Sequence, residues 1–222
     1  MDFLLLLLMF TIPALAQLKV TLSYNKYKTI DNTKNISGFE VARKILDTNG
    51  LNDIHIVEVP GNLTDHYDPS RKVVRLSKDI FHKTTVASAA IAAHECGHAI
   101  QDKEGYFYMR FRAAIFPIVK IATQLSYVII FIGLLLQALD LIYIGIAFVA
   151  CGLIFQIVTL PVELNASKRA KELLLNLNII DEDEKEEVGE MLNAAAMTYV
   201  AGVLASALQL LRLILAFTGR RD

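Results

Sequence analysis

Four long apolar stretches constrain this chain more than any other feature of its sequence: residues 3–18, 115–136, 141–162 and 192–217. About 20 apolar residues in an α-helix cross the roughly 30 Å hydrocarbon core of a bilayer. The composition agrees, because 54% of the residues are hydrophobic and only 20% are charged, a shift away from soluble globular proteins. The sequence therefore predicts an integral membrane protein built mainly from α-helices.

The two middle stretches predict a transmembrane helical hairpin over residues 115–162. Only Gln137–Asp140 separate them, which leaves room for a tight turn and no more. Two crossings return the chain to the side of the membrane from which it started. The polar segments on either side of the hairpin, 19–114 and 163–191, are therefore expected on the same side.

The outer apolar stretches each leave an alternative open. Residues 1–18 are expected to form an N-terminal membrane anchor. Their ending, Ala14–Ala16, resembles a signal-peptidase site, but Asp2 and no Lys or Arg precede the apolar run, whereas a signal peptide has a positive N-terminal region. Residues 192–222 comprise an apolar helix and a basic tail, and this helix either spans the membrane or packs as a buried helix on the others.

The polar segment 19–114 predicts a small α+β domain, because a helix, two strands and a second helix follow one another along it. Segment 163–191 adds a further helix, and the acidic run 181–187 marks its start. The elements expected in the first segment are a helix at 38–46, a strand at 54–59, a turn at 65–69, a strand at 72–77 and a helix through 86–101 that opens at Ser77 or Thr84.

Residues 94–98, His-Glu-Cys-Gly-His, form the pattern H-E-x-x-H. On a helix, His94 and His98 face the same side, so both imidazoles can bind one cation. A catalytic zinc takes such ligands, keeps one position open and lowers the pKa of a water there to about 7. Glu95 is then placed to take a proton as the water attacks a carbonyl.

The pattern is specific, because this composition produces it by chance only about 0.006 times in a chain of this length. The alternative interpretation is a pair of ordinary surface histidines. A third ligand is expected at Glu163, since hydrolytic zinc sites combine two histidines with a glutamate. This carboxylate follows an apolar stretch and needs a strong partner there. The expected partner is one zinc ion per chain, and the alternative is an ion pair with Lys168 or Arg169.

Five segments taken together are far more specific than the zinc motif alone. They are LTDHYDP at 63–69, VRLS at 74–77, AAHECGHAIQ at 92–101, TLPVE with AS at 159–163 and 166–167, and LNAAAMTYV at 192–200. On these segments the chain resembles the neutral zinc metallopeptidases of the YugP type over nearly its whole length. It is similar, more distantly, to the HtpX and CAAX-prenyl-protease class of membrane gluzincins.

The resemblance implies a mainly α membrane protein in which apolar helices accompany a small α+β zinc-peptidase domain with the H-E-x-x-H helix. Two positions depart from the family pattern, Cys96 where Val or Ile is expected and Asn165 where Asp is expected. Asn165 is therefore a weaker candidate than a carboxylate to orient a ligand histidine. The implied site consists of the zinc ligands His94, His98 and Glu163 and the general base Glu95.

Three further residues are candidates to stabilise the oxyanion that forms when water attacks a carbonyl. His66 and Tyr67 lie in the predicted turn, where turn structure is their alternative role. Tyr199 lies on the last apolar helix, where packing between helices is the alternative.

The predicted function is a membrane-embedded zinc endopeptidase acting on protein or peptide substrates near the bilayer. The alternative is a zinc-binding membrane scaffold or pseudo-peptidase without turnover, against which Glu95 argues, because a structural zinc site needs no base. A metal transporter would carry ionisable residues inside its spans, whereas these histidines lie outside them. The net charge of −1 excludes a basic nucleic-acid-binding protein.

Basic residues predict the orientation in the membrane. Lys and Arg number 14 in residues 19–114 and 4 in 163–191, and none lies in the hairpin turn. Positive loops favour the cytoplasm, so we expect a bacterial plasma-membrane protein with a cytoplasmic active site. Arg220 and Arg221 conflict with this if the last helix spans, because they would then lie outside.

Overall fold

The protein, seen here as a computed structural model, is described over residues 2–218 and is mostly helical. The predicted basic tail, with Arg220 and Arg221, lies outside the described residues. In chain order the elements are α1 Asp2–Tyr27, α2 Gly38–Thr48, β1 His55–Val59, β2 His66–Asp68, β3 Val73–Ser77, α3 Lys78–His82, α4 Val86–Glu104, α5 Phe107–Leu135, α6 Leu139–Asn176, a 3₁₀ turn Glu182–Glu184 and α7 Lys185–Thr218.

Four helices in the described part of the chain are long and apolar enough to cross a membrane, which confirms the four predicted apolar helices. They extend beyond the apolar stretches themselves. The first helix of the predicted hairpin, for example, already begins at Phe107, and the second continues to Asn176. By length and composition α7 also qualifies as a span. The four candidate spans are Phe3–Tyr27, Phe107–Leu135, Leu139–Asn176 and Glu182–Phe217.

The chain divides into two compact units. The helical unit contains residues 2–17, 107–161 and 198–218, and the mixed unit contains 18–106 and 162–197. Helices α1, α6 and α7 therefore each contribute residues to both units. All the residues predicted to bind zinc lie in the mixed unit.

In the helical unit, α5 and α6 pack closely through two glycines. A Cβ on Gly145 would lie 2.9 Å from the carbonyl oxygen of Ser126, and one on Gly133 would lie 2.9 Å from the backbone nitrogen of Ile142. Small residues allow apolar helices to approach this closely. A buried apolar cluster joins α5, α6 and α7 and consists of Ile130, Ile142, Ile146, Val149 and Phe217.

In the mixed unit, α2 begins with a capping box. The side chain of Ser37 accepts a hydrogen bond from the backbone N–H of Glu40, and the carboxylate of Glu40 accepts one from the backbone N–H of Ser37. The apolar face of α2 is fully buried, and α2 packs against α4. This face consists of Val41, Ala42, Ile45 and Leu46.

A three-stranded sheet in the order β1-β3-β2 completes the mixed unit. β1 runs parallel to β3, and β2 runs antiparallel to it. The central strand is the most buried, and Val74 and Leu76 are inaccessible to solvent. The predicted strands at 54–59 and 72–77 correspond to β1 and β3.

The prediction of a turn over residues 65–69 is wrong, because His66–Asp68 form strand β2. Three residues are too few for an alternating pattern to show in the sequence, so the strand depends on its pairing with β3. The turn follows the strand instead. There the carboxylate of Asp68 accepts hydrogen bonds from the backbone N–H groups of Ser70 and Arg71.

The helical sequence that was predicted to open at Ser77 or Thr84 forms two helices. Ser77 precedes α3, and Thr85 caps α4 by accepting a hydrogen bond of 3.2 Å from the backbone N–H of Ser88. α4 ends at Gly105, whose φ of 66° is a left-handed conformation that suits glycine. Most of α4 is buried, and its small side chains let other elements pack closely around it.

Candidate metal centre

α4 and α6 bring three ligand-type side chains together in the mixed unit. Oε2 of Glu163 lies 3.4 Å from Nε2 of His94 and 3.4 Å from Nε2 of His98. The Glu163 side chain is only 4% exposed, and those of His94 and His98 are 15% and 12% exposed. Among residues 2–218, this is the one group of His, Cys, Asp and Glu side chains with the geometry to hold a metal ion.

Two of the three separations between ligand atoms in this trio fit zinc. Ligand atoms about 2.1 Å from a tetrahedral zinc lie about 3.4 Å from one another. The two distances from Oε2 of Glu163 match that separation. Two imidazoles and one carboxylate are also the donor set of hydrolytic zinc sites, in which the fourth position stays open.

Gly97 lets α6 approach α4 at this site. A Cβ on Gly97 would lie 2.9 Å from the carbonyl oxygen of Ala166 and 3.3 Å from its Cα. These are backbone atoms, so they cannot rotate away as a side chain would. Because Ala166 lies less than one helical turn beyond Glu163, the contact controls how closely Glu163 approaches the histidines.

We expect Gly97→Ala to lower zinc affinity at least about tenfold and to destabilise the mixed unit by about 1–3 kcal/mol, the usual range for overpacking. The added methyl group must push α6, and Glu163 with it, away from α4. Chelator competition and thermal unfolding measure the two effects. Gly189→Ala is the matched control, because its Cβ would meet the flexible end of Lys171. Equal zinc affinity in the two variants would contradict the role assigned to Gly97.

Each histidine of the trio has a partner at its other ring nitrogen. Oγ of Ser167 lies 3.2 Å from Nδ1 of His94, and Oε1 of Gln101 lies 3.0 Å from Nδ1 of His98. Such partners orient a ligand histidine. Sequence reasoning missed both residues. A signal was present, because Gln101 follows His98 by three residues and Ser167 follows Glu163 by four, spacings that share a helix face.

The two departures from the family pattern have separate roles. The thiol of Cys96 donates to the carbonyl oxygen of Ala42 at 3.6 Å, and burial raises the pKa of this thiol, which keeps it neutral. Oδ1 of Asn165 accepts hydrogen bonds from Nε2 of Gln101 at 2.9 Å and from Nε of Arg169 at 2.8 Å. Asn165 therefore contacts the partner of a ligand histidine rather than the histidine.

Glu95, the predicted general base, is 7% exposed. A second carboxyl group, that of Asp65, lies in the same region. Burial raises the pKa of Asp65, and the negative charge of Glu95 adds to this effect. The carboxylate of Asp65 also accepts hydrogen bonds from the backbone N–H and the hydroxyl of Ser77, at 2.6 and 3.0 Å. Asp65 thereby ties the segment before β2 to the end of β3.

The environment of His98 favours a cation. Burial alone would lower the pKa of His98, but hydrogen bonding to Glu163 and the negative charge of Glu95 raise it above the ordinary value for histidine. A metal ion requires the neutral imidazole, so protons and metal compete for this side chain. Metal affinity should therefore fall as the pH falls through the pKa of His98.

The three oxyanion candidates have other contacts. His66 is exposed, and its Nδ1 donates to the carbonyl oxygen of Thr64 at 2.8 Å. The hydroxyl of Tyr67 donates to Asp102 at 2.8 Å, and burial raises the pKa of Tyr67. Tyr199 lies on α7 in the helical unit. These hydrogen bonds of His66 and Tyr67 therefore lead to Thr64 and Asp102, and not to His94, His98 or Glu163.

Comparison with known proteins agrees with the resemblance drawn from the sequence. The family described as "Putative neutral zinc metallopeptidase" matches residues 2–218. A Bacillus subtilis (strain 168) protein named "Putative membrane protease YugP" is 42% identical over 207 residues, which cover 93% of this chain and 92% of that protein. No solved structure matches the chain.

Proposed function

Because the chain belongs to the neutral zinc metallopeptidase family, we propose that it is a membrane-embedded zinc endopeptidase that hydrolyses peptide bonds. The observation that carries this proposal is the position of Glu163, whose buried Oε2 lies 3.4 Å from both His94 and His98. The spacing and the donor set suit one zinc ion per chain with an open fourth position.

Each residue of the site has a distinct task in this proposal. His94, His98 and Glu163 hold the zinc ion. When bound, zinc supplies Lewis-acid activation of the water nucleophile and of the scissile carbonyl. Glu95 takes a proton from the attacking water and passes it to the leaving amine. The burial of Glu95 strengthens its electrostatic interactions with the reacting groups.

We propose that the oxyanion donor is one of three residues, His66, Tyr67 and Tyr199. The carbonyl of Thr64 can only accept, so Nδ1 of His66 carries a hydrogen and Nε2 can donate only in the imidazolium form. Tyr67 would have to release Asp102 before its hydroxyl could donate to substrate. We propose these residues as donors under those conditions, with Tyr199 as the candidate from α7.

A cleavage assay with metal control tests the proposed function. The full chain, purified in detergent, should contain about one zinc per chain and cleave casein or itself. A chelator should abolish cleavage, and added zinc should restore it. Stoichiometric zinc without cleavage of any polypeptide would favour the scaffold without turnover, and absence of bound zinc would refute the proposal.

We propose proteins and peptides near the bilayer as substrates. The proposed partners also include the lipid bilayer, but no nucleic acid. Four candidate spans in the described residues and the membrane-protease name of the Bacillus relative support this. The active site is proposed to face the cytoplasm of a bacterial cell, because basic residues are concentrated in the polar segments that carry it.

Cysteine labelling in intact cells tests the orientation. Asp140, at the hairpin turn, and Asp183, before α7, are both exposed, so thiols there should be accessible to a probe on their own side. We expect Asp140→Cys to react with an impermeant maleimide and Asp183→Cys to react only after permeabilisation. The opposite pattern would place the active site outside and revive the interpretation of residues 1–18 as signal-like.

A further inference from the structure

Gln101, on α4, is inaccessible to solvent, and both the oxygen and the nitrogen of its side-chain amide form hydrogen bonds. Oε1 lies 3.0 Å from Nδ1 of His98. Nε2 lies 2.8 Å from the carbonyl oxygen of Val162 and 2.9 Å from Oδ1 of Asn165. Val162 immediately precedes Glu163, so a single amide joins one ligand histidine to the backbone beside the third ligand.

The backbone carbonyl of Val162 determines which way this amide faces. A carbonyl oxygen can only accept, so the NH₂ group of Gln101 must point toward it. Oδ1 of Asn165 is held as a second acceptor by Arg169, whose Nε donates to it at 2.8 Å. The oxygen of the Gln101 amide therefore faces His98 and can only accept. It follows that Nδ1 of His98 carries a hydrogen.

We propose that Gln101 is a positioning residue that fixes the tautomer of His98. With its hydrogen on Nδ1, the neutral imidazole keeps its lone pair on Nε2, the atom that lies 3.4 Å from Oε2 of Glu163. The Nδ1–Oε1 distance of 3.0 Å is within the hydrogen-bond range. The consequence for zinc rests on the proposed function, whereas the hydrogen on Nδ1 of His98 follows from the hydrogen bonds of Gln101 alone.

Gln101 prepares the site in two ways. It keeps the hydrogen of the neutral imidazole on Nδ1, so metal binding requires loss of the proton from Nε2 but no change of tautomer. It also connects α4 to α6 beside Glu163. Loss of the partner of a ligand histidine commonly lowers metal affinity by about 10–100-fold, and we expect a loss in this range for Gln101→Leu.

Gln101→Glu separates positioning of the histidine from a merely structural connection of the helices. Its carboxylate still accepts from Nδ1 of His98 but has no hydrogen to donate to the carbonyl of Val162. If positioning is the role, Gln101→Glu recovers most of the zinc affinity that Gln101→Leu loses, as measured by chelator competition. If both variants lose affinity equally, or neither does, the proposal is wrong. Asn165→Ala is the control, because Val162 alone still orients the amide.

The tautomer can be read directly on the wild-type protein. Histidine labelled with ¹⁵N in the full chain, metal-free in detergent and at a pH where imidazoles are neutral, reports which ring nitrogen carries the hydrogen. His98→Gln identifies the signal. We expect the hydrogen on Nδ1 of His98, and a hydrogen on Nε2 would overturn the proposal. This result does not depend on turnover, so a protein without peptidase activity would refute the proposed function and leave the role of Gln101 to be decided by the spectrum.

Discussion

Glu95→Gln should retain zinc, but its rate of proteolysis should fall by at least about 10²-fold. The amide has nearly the size of the carboxylate and keeps an acceptor oxygen, but it cannot take a proton from water. Glu95 is not a member of the trio placed to bind metal, so zinc content should not change. Initial rates of casein cleavage and the zinc content of the same preparation measure the two quantities.

Glu104→Gln is the matched control for this variant. Glu104 lies on the same helix, its side chain is 51% exposed, and it pairs with Arg169 rather than with the candidate metal trio. It should therefore keep both activity and zinc. If Glu95→Gln cleaves as fast as Glu104→Gln, then Glu95 is not the base, and the cleavage comes from another group or a contaminating protease.

Glu163→Ala should lower zinc affinity by more than about 10²-fold. Loss of a residue that only hydrogen-bonds to a metal ligand already lowers metal affinity by about 10–100-fold, and Glu163 is proposed as a ligand itself. The two histidines would remain, but two ligands on one helix bind zinc weakly without a third. Proteolysis should be lost together with the metal. Chelator competition and cleavage assays on the same protein give both results.

Two neighbours on α6 serve as controls for the loss of Glu163. Glu172→Ala removes an exposed carboxylate that lies 3.8 Å from Lys168, and it should change neither zinc affinity nor cleavage. Asn165→Ala should have a much smaller effect than Glu163→Ala, because Asn165 contacts Gln101 and not a member of the trio. Tight, stoichiometric zinc in Glu163→Ala would show that the third ligand lies elsewhere.

The features that the sequence predicted correctly depend on local patterns. Hydropathy over about 20 residues identified the apolar helices. Alternation over six residues identified β1, and the short run after the predicted turn identified β3. The spacing of His94 and His98 follows from helix geometry alone. Strand β2 escaped prediction because its three residues carry no periodicity and its existence depends on pairing with β3.

The sequence by itself determined the chemistry available to this protein: four apolar helices, two histidines on one helix face and a glutamate after an apolar run. Only the tertiary structure decided which of these groups meet. Gln101 and Val162 are separated by 61 residues and His94 and Ser167 by 73, so no local pattern specifies their contact. Their contact depends on the close packing of α6 against α4 at Gly97, where the absence of a single Cβ leaves room for the backbone that carries the third ligand.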